Sequence, residues 1–219
     1  MNSYNLQDYL IDKTLFEDEF RKFHPEDSYL DAKLDCLESL MKRNSSCELV
    51  LSKETRVEQS FNEQIFGNLL GYKSILMSNG EPYHLEPKTY VGGNKRYNDF
   101  SLGVIEPTKK TLLVSAELKD PFADLFAPQG GNYNGQTPVQ QALQTAQGHP
   151  SIVWVLVSNF VEILVFHVGT QSNYMKFDLL SMNKRREMKR MLFVLELGSF
   201  YTSELSQKGR LQKVLTKAT

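Results

Sequence analysis

The chain of 219 residues contains only two cysteines, Cys36 and Cys47, and a single tryptophan. Neither Cys-x-x-Cys nor a cysteine–histidine ligand spacing occurs, which excludes a structural zinc site and argues against a disulfide framework. No apolar run approaches the roughly 18 residues that a membrane span needs. An excess of either charge is missing too, since 25 Lys+Arg against 26 Asp+Glu leave a net charge of −1. A free-standing, tight nucleic-acid binder carries a basic surplus, so bulk charge is not expected to hold a polyanion here; only local contact with DNA is left open. The opening stretch, MNSYNLQDYLIDKT, lacks the charged-then-apolar profile of a secretory signal, and a cytoplasmic location is expected. There is no P-loop, no Gly-x-Ser-x-Gly elbow, no Asn-Pro-Pro-Tyr-like tetrad and no glycine-rich cofactor loop after an opening strand, so methyl transfer is not expected from this chain.

What is present suits a folded α/β chain. Hydrophobic residues make up 41% and charged residues 23%, and the length suffices for one well-cored domain with helical extensions. The first 50 residues read as helices. Leu30, Leu34, Leu37 and Leu40 recur at three- and four-residue spacing, with Asp27 or Ser28 available as a cap. A further helix is expected from about Lys53 to Leu70, capped by Ser52 and stopped by Gly71. The period then changes to alternation in RYNDFSLGVI and TLLVSAELK, which a turn at Glu106-Pro107-Thr108-Lys109-Lys110 joins as a hairpin. A Gly-, Pro- and Asn-rich stretch follows Lys119, and segments of that length in compact domains are usually functional or disordered. Then come a helix with Thr137 as cap and Pro138 in its first turn, two apolar β-branched strands with Ser158-Asn159 as a turn or a strand break between them, and a helical tail from about Asn183.

Strand alternation puts Leu113, Ser115, Glu117 and Lys119 on one face of the second hairpin strand, with Leu112, Val114, Ala116 and Leu118 on the other. On the first strand Phe100, Leu102 and Val104 form the apolar face, and Asp99, Ser101 and Gly103 the small polar one. A turn centred near residue 108 sets Asp99 opposite Glu117. Two carboxylates this close repel unless a cation lies between them, and a hard ion bound by oxygen, such as Mg²⁺, is the natural candidate. The Asp/Glu-x-Lys triplet alone carries little: it occurs at Asp31, Glu86, Glu117 and Glu187, and an exposed ion pair also produces it. Only the Glu117 copy ends an apolar strand opposite a second acid.

The preceding helix contributes another acid. Val57, Phe61, Ile65 and Leu69 make its apolar stripe, extended by Phe66 and Leu70, and Glu58 falls in the middle of it, with Glu63 toward its edge. An ionised carboxylate on a core-facing helix is costly unless it is paired or bound to metal. Of Gln140, Gln141, Gln144 and Gln147 on the later helix, at least two are expected on a solvated face, leaving one to orient a water or a phosphate oxygen. Lys184, Arg185, Arg186, Lys189 and Arg190 read as a solvated helix face, with phosphate contact as the alternative, and Lys95 and Arg96 are better placed for a DNA backbone contact. The four histidines show no ligand spacing.

Glu58 on a helix, Asp99, Glu117-Leu118-Lys119 and a helix opening Pro138-Val139-Gln140-Gln141-Ala142 together resemble the PD-(D/E)XK nuclease superfamily. The strings VEQSFNEQIFGNLLGY, LLVSAELKDP, TPVQQALQTA and IVWVLVSNFVEILVF look more narrowly like the N-terminal nuclease domain of type IIG restriction–modification enzymes, over about residues 52 to 180. The resemblance implies a restriction-endonuclease-like core, a central mixed β-sheet flanked by helices. It implies a helical segment at 1–50, the nuclease core at 51–182 and a helical connector at 183–219.

It further implies a Mg²⁺-dependent DNA endonuclease, with Mn²⁺ as a substitute ion. Asp99, Glu117 and the Leu118 carbonyl would bind the metal and Glu58 would complete the acidic cluster. Lys119 would hold and polarise the attacking water. Gln141 matches the glutamine of the family's Gln-x-x-x-Tyr element, whereas Thr145 stands at the tyrosine place and Asn98 at that of the optional proline. The implied partners are double-stranded DNA and the methyltransferase and target-recognition domains of the same polypeptide or complex, with dimerisation on DNA to cut both strands. The alternative from another class is a catalytically inactive module of the same fold that binds DNA or supports assembly.

Overall fold

A computed structural model describes residues 4–10, 12–45, 54–90, 97–131, 135–200 and 209–218. The expected Ser52 cap, the helix start at Lys53, Cys47, Lys95 and Arg96 lie outside those residues, as does the Val57 side chain. Seven strands form one mixed sheet: β1 (Asn5–Leu6), β2 (Tyr83–Pro87), β3 (Phe100–Ile105), β4 (Lys110–Leu118), β5 (Trp154–Ser158), β6 (Glu162–His167) and β7 (Asn173–Asp178). Their spatial order is β1-β7-β6-β5-β4-β3-β2. β4–β5 and β1–β7 are parallel, and the other neighbours are antiparallel.

One face of this sheet is covered by α1 (Lys13–Lys22), α2 (Asp27–Ser45), α3 (Glu54–Phe61), α5 (Arg185–Leu195), α6 (Leu197–Phe200) and α7 (Arg210–Ala218). The other carries α4 (Pro138–Ala146). Capping explains two of the helix starts. Leu15 N donates to Asp12 Oδ1 at 2.9 Å ahead of α1, and Thr137 with Gln140 closes a reciprocal capping box ahead of α4. Past Phe61 the third helix widens into a π-helical segment, Asn62–Leu69, in which Leu70 N reaches back to Ile65 O at 3.0 Å. Under the wider turn the adjacent pairs Ile65-Phe66 and Leu69-Leu70 are all buried. Gly71 then ends the helix at φ 86°, a conformation that favours glycine.

The β3–β4 hairpin turns as expected. Glu106 and Lys109 exchange backbone hydrogen bonds of 2.9 and 3.3 Å around Pro107-Thr108. Its alternation departs from the simple pattern, because Leu102 pairs with Val114 but Gly103 pairs with Leu112, leaving Leu113 as an extra residue. The bulge puts Leu112 in the α4-side cluster and lets Leu113 pack toward the opposite, many-helix cluster, reversing the expectation for both. Glycine is required at 103, since a Cβ there would stand 2.4 Å from Thr111 O. Both faces of the hairpin are covered, so an open polar face is not what forms. β5, in the middle of the sheet, is buried at all five positions, and burying each large aliphatic side chain there contributes roughly 1.5–3 kcal/mol of transfer free energy.

Candidate functional site

The C-terminal end of β4 is where the predicted side chains gather. Extending the Phe100–Ala116 and Ser101–Ser115 pairings by one position brings Asp99 opposite Glu117. Asp99 N donates to Ala116 O at 3.1 Å, and Leu118 N donates to Asp99 Oδ2 at 2.6 Å. Asp99 is thus fastened to β4 by its backbone and by one carboxylate oxygen.

Glu117 and Lys119 form an almost closed pair, Nζ to Oε1 at 2.8 Å, with side chains only 6% and 11% exposed. Gln141 reaches the same Glu117 Oε1 from the first turns of α4 with an Nε2 donor at 2.5 Å, and Gln129 Nε2 supports Gln141 Oε1 at 3.1 Å. Lys119 N donates to Ser158 O at 2.9 Å, continuing the parallel ladder with β5 past the end of β4. The other glutamines stay out: Gln140 closes the capping box, Gln144 is exposed and accepts from Gln136, and Gln147 is exposed at the end of α4. The long segment after Lys119 is tied down where it is described, through Asn159 Nδ2 to Ala123 O at 2.8 Å, buried Leu125, and Gln129.

The two departures from the family pattern have structural roles of their own. Asn98 is buried and receives Thr89 N at 3.1 Å while donating to Ser101 Oγ at 2.7 Å and Ser115 Oγ at 3.0 Å. The small polar face thereby closes on itself, and a proline would make none of these bonds. Thr145 is also buried, its hydroxyl donating to Gln141 O at 2.9 Å, so the tyrosine place points into packed interior.

Glu58 enters from the other side of the sheet. It is 9% exposed, as its place on the apolar stripe requires, but it meets Asp99 only through a lysine that sequence reasoning did not select. Lys88 Nζ lies 2.6 Å from Asp99 Oδ1 and 3.3 Å from Glu58 Oε2. Burial pushes the Glu58 carboxyl above the ordinary carboxylate value; Lys88 lowers it and the Asp99 charge raises it further. For Lys88, burial favours the neutral amine, but the hydrogen bond to Asp99 and the charges of Asp99 and Glu58 prevail and hold it above the ordinary lysine value. The only sequence signal was its place in the Glu86-Pro87-Lys88 triplet, 11 residues ahead of Asp99.

Three carboxylates and two ammonium groups make the site net negative. Its donors are oxygens, the set that suits a hard divalent ion. Asp99 and Glu117 bracket the end of β4, and Leu118 stands between Glu117 and Lys119. Among the described residues no three acidic, histidine or cysteine side chains are grouped as a ready-made ion cage. The expected three-acid cluster is instead two acids on the hairpin and a third one ammonium away. The residues therefore fit Mg²⁺ by donor chemistry, with a positive charge already standing between Glu58 and Asp99.

The C-terminal basic run is largely spent on packing. Arg185 bonds Asp31 at 2.6 Å and Asp27 at 2.7 Å, Lys189 lies over the Phe20 ring, and Arg190 over that of Phe16. No described helix is long and apolar enough to cross a membrane. Comparison of the chain with family models, with curated proteins and with solved structures returned no match. What the geometry itself defines is an α/β protein with a mixed seven-stranded sheet flanked by helices and an acid–lysine cluster at one strand end.

Proposed function

We propose that the chain is a Mg²⁺-dependent DNA endonuclease domain with a restriction-endonuclease-like core, the cleavage part of a type IIG-like restriction–modification enzyme. The observation that carries the reading is the meeting of Asp99, Glu117, Lys119 and Gln141 at the end of β4, with Glu58 reached across Lys88. Asp99, Glu117 and the Leu118 carbonyl would hold the ion, with Glu58 on its outer side. Once bound, Mg²⁺ supplies Lewis acidity, lowering the pKa of a water and stabilising the extra charge on a pentacoordinate phosphate. The protein's own groups do the placing. Lys119 offers an ammonium donor to the attacking water beside Glu117, and Gln141 keeps the Glu117 carboxylate turned toward that water.

A chain with net charge −1 has little bulk attraction for DNA, so tight engagement of substrate falls to the recognition and methyltransferase parts of a longer polypeptide or complex. The second reading, a non-catalytic DNA-binding or assembly module of the same fold, is favoured by one observation: ammonium groups already lie against all three acids. Plasmid nicking at high protein concentration with Mg²⁺ or Mn²⁺ decides between them. Nicking by the wild type and none by Lys119→Ala supports the enzyme. Absence of nicking, together with no calorimetric difference in Mn²⁺ binding between wild type and Asp99→Ala, supports the module.

A further inference from the structure

Lys88 differs from every other member of the cluster in how it is held. The Glu58 and Asp99 side chains are 12% and 14% exposed, whereas that of Lys88 is 53% exposed. The anions cannot leave without opening the fold, but the ammonium sits on a flexible stem that reaches water. Its backbone is placed deliberately. Lys88 adopts φ 46°, a left-handed conformation that lysine seldom takes, and its N–H donates to Asp99 O at 2.8 Å. The next residues are pinned as well, Thr89 N to Asn98 Oδ1 at 3.1 Å and Asn98 N to Thr89 O at 3.1 Å. Asp99 in turn commits Oδ2 to Leu118 N and presents Oδ1 to Lys88.

Resting on the nuclease reading, we propose that Lys88 is an internal counter-cation. It neutralises the Glu58–Asp99 side of the site in the ion-free protein and must swing outward when a divalent cation binds there. Two carboxylates facing each other without a cation repel, and one unit charge on a mobile stem relieves that repulsion until a doubly charged ion displaces it. Lys88 is thus a positioning residue that sets the ion's affinity.

Calorimetry of the 219-residue chain with Mn²⁺ alone, without DNA, tests this. Lys88→Met is expected to bind Mn²⁺ on the order of tenfold more tightly than wild type, because a competing cation is gone. Lys88→Arg, which keeps the charge, should stay within about threefold of wild type. The thermal midpoint of Lys88→Met should lie below that of wild type without Mn²⁺ and close most of the gap when Mn²⁺ is added; a purely structural lysine would lower the midpoint and leave Mn²⁺ affinity unchanged. Equal or weaker Mn²⁺ binding by Lys88→Met overturns the proposal while the nuclease reading stands. If neither wild type nor either variant binds Mn²⁺, the metal reading fails and takes the counter-cation with it. Should the variants not fold, the wild type still decides. The Lys88 ¹⁵Nζ resonance is expected to shift on Mg²⁺ addition, and an unmoved signal under conditions where the ion binds refutes displacement.

Discussion

The two halves of the acid–lysine cluster use the same pairing for opposite ends. In the inner half, Glu117, Lys119 and Gln141 come from one strand and the helix packed on it, and the Glu117–Lys119 pair is nearly closed to water. In the outer half, Glu58, Lys88 and Asp99 come from a helix, the end of an edge strand and a bend before β3, and the cation is half exposed. A carboxylate–ammonium pair fixed on both sides orients a group. A pair with one mobile partner can be exchanged. Burial of the cation, more than distance, separates the two roles.

The largest effect is expected in the inner half. If Lys119 assists the attacking water, Lys119→Ala loses on the order of 10²–10⁴ in the rate of plasmid cleavage while folding normally by circular dichroism. A loss no larger than that of Lys88→Ala would erase the distinction between the halves. Next comes the Leu113 bulge, which sets Leu112 on the α4 side of the sheet. Gly103→Ala forces a Cβ against Thr111 O and should cost about 1–3 kcal/mol of stability in urea unfolding. An unchanged midpoint would show that the register tolerates a side chain there. Gln141→Leu removes one hydrogen bond to Glu117 and should lower cleavage by about tenfold, roughly 1.4 kcal/mol, with Mn²⁺ affinity less affected.

The smallest effect is a pH dependence of the outer half. Burial raises the folded pKa of Glu58 above its ordinary value of 4.5. At pH well below 4.5 both folded and unfolded chains hold the proton and there is no penalty. As pH rises through 4.5 the unfolded chain releases its proton first, so this group's contribution increasingly destabilises the fold, and the penalty levels off at its full size once Glu58 also ionises in place. Glu58→Gln should therefore gain stability relative to wild type as pH rises through that window, read as the difference in urea midpoints. A difference that is flat or of opposite sign would show that Lys88 overcompensates the burial.

The inner half was legible because its signals are local. An apolar strand ending in Glu117-Leu118-Lys119 and a Thr137–Pro138 helix start each follow from spacing within a few positions, whereas Gln141 stood out among four glutamines only through the family resemblance. Glu58 was legible as a charge on an apolar stripe, although the π-helical widening beyond Phe61 was not. Lys88 was hidden in one of four equivalent triplets, at the end of a five-residue strand too short to show alternation. Gln129 gave no signal, since its value lies in reaching Gln141 across a loop. Strands β1, β2 and β7 were also missed, being short or mixed in polarity.

Composition and periodicity by themselves determined the alternation of helices and strands, the β3–β4 turn, the Thr137 cap and the acids worth watching. Folding decided the order of the strands, the parallel β4–β5 pairing, the helices that cover both faces of the hairpin, the Leu113 bulge that exchanges the roles of Leu112 and Leu113, and the ammonium that stands between Glu58 and Asp99. The reason is range. Helix and strand preferences are set by neighbours one to four residues apart, whereas the Lys88–Asp99, Asp99–Leu118, Glu117–Gln141 and Glu58–Lys88 partners lie 11 to 30 residues apart and meet only when packing brings them together.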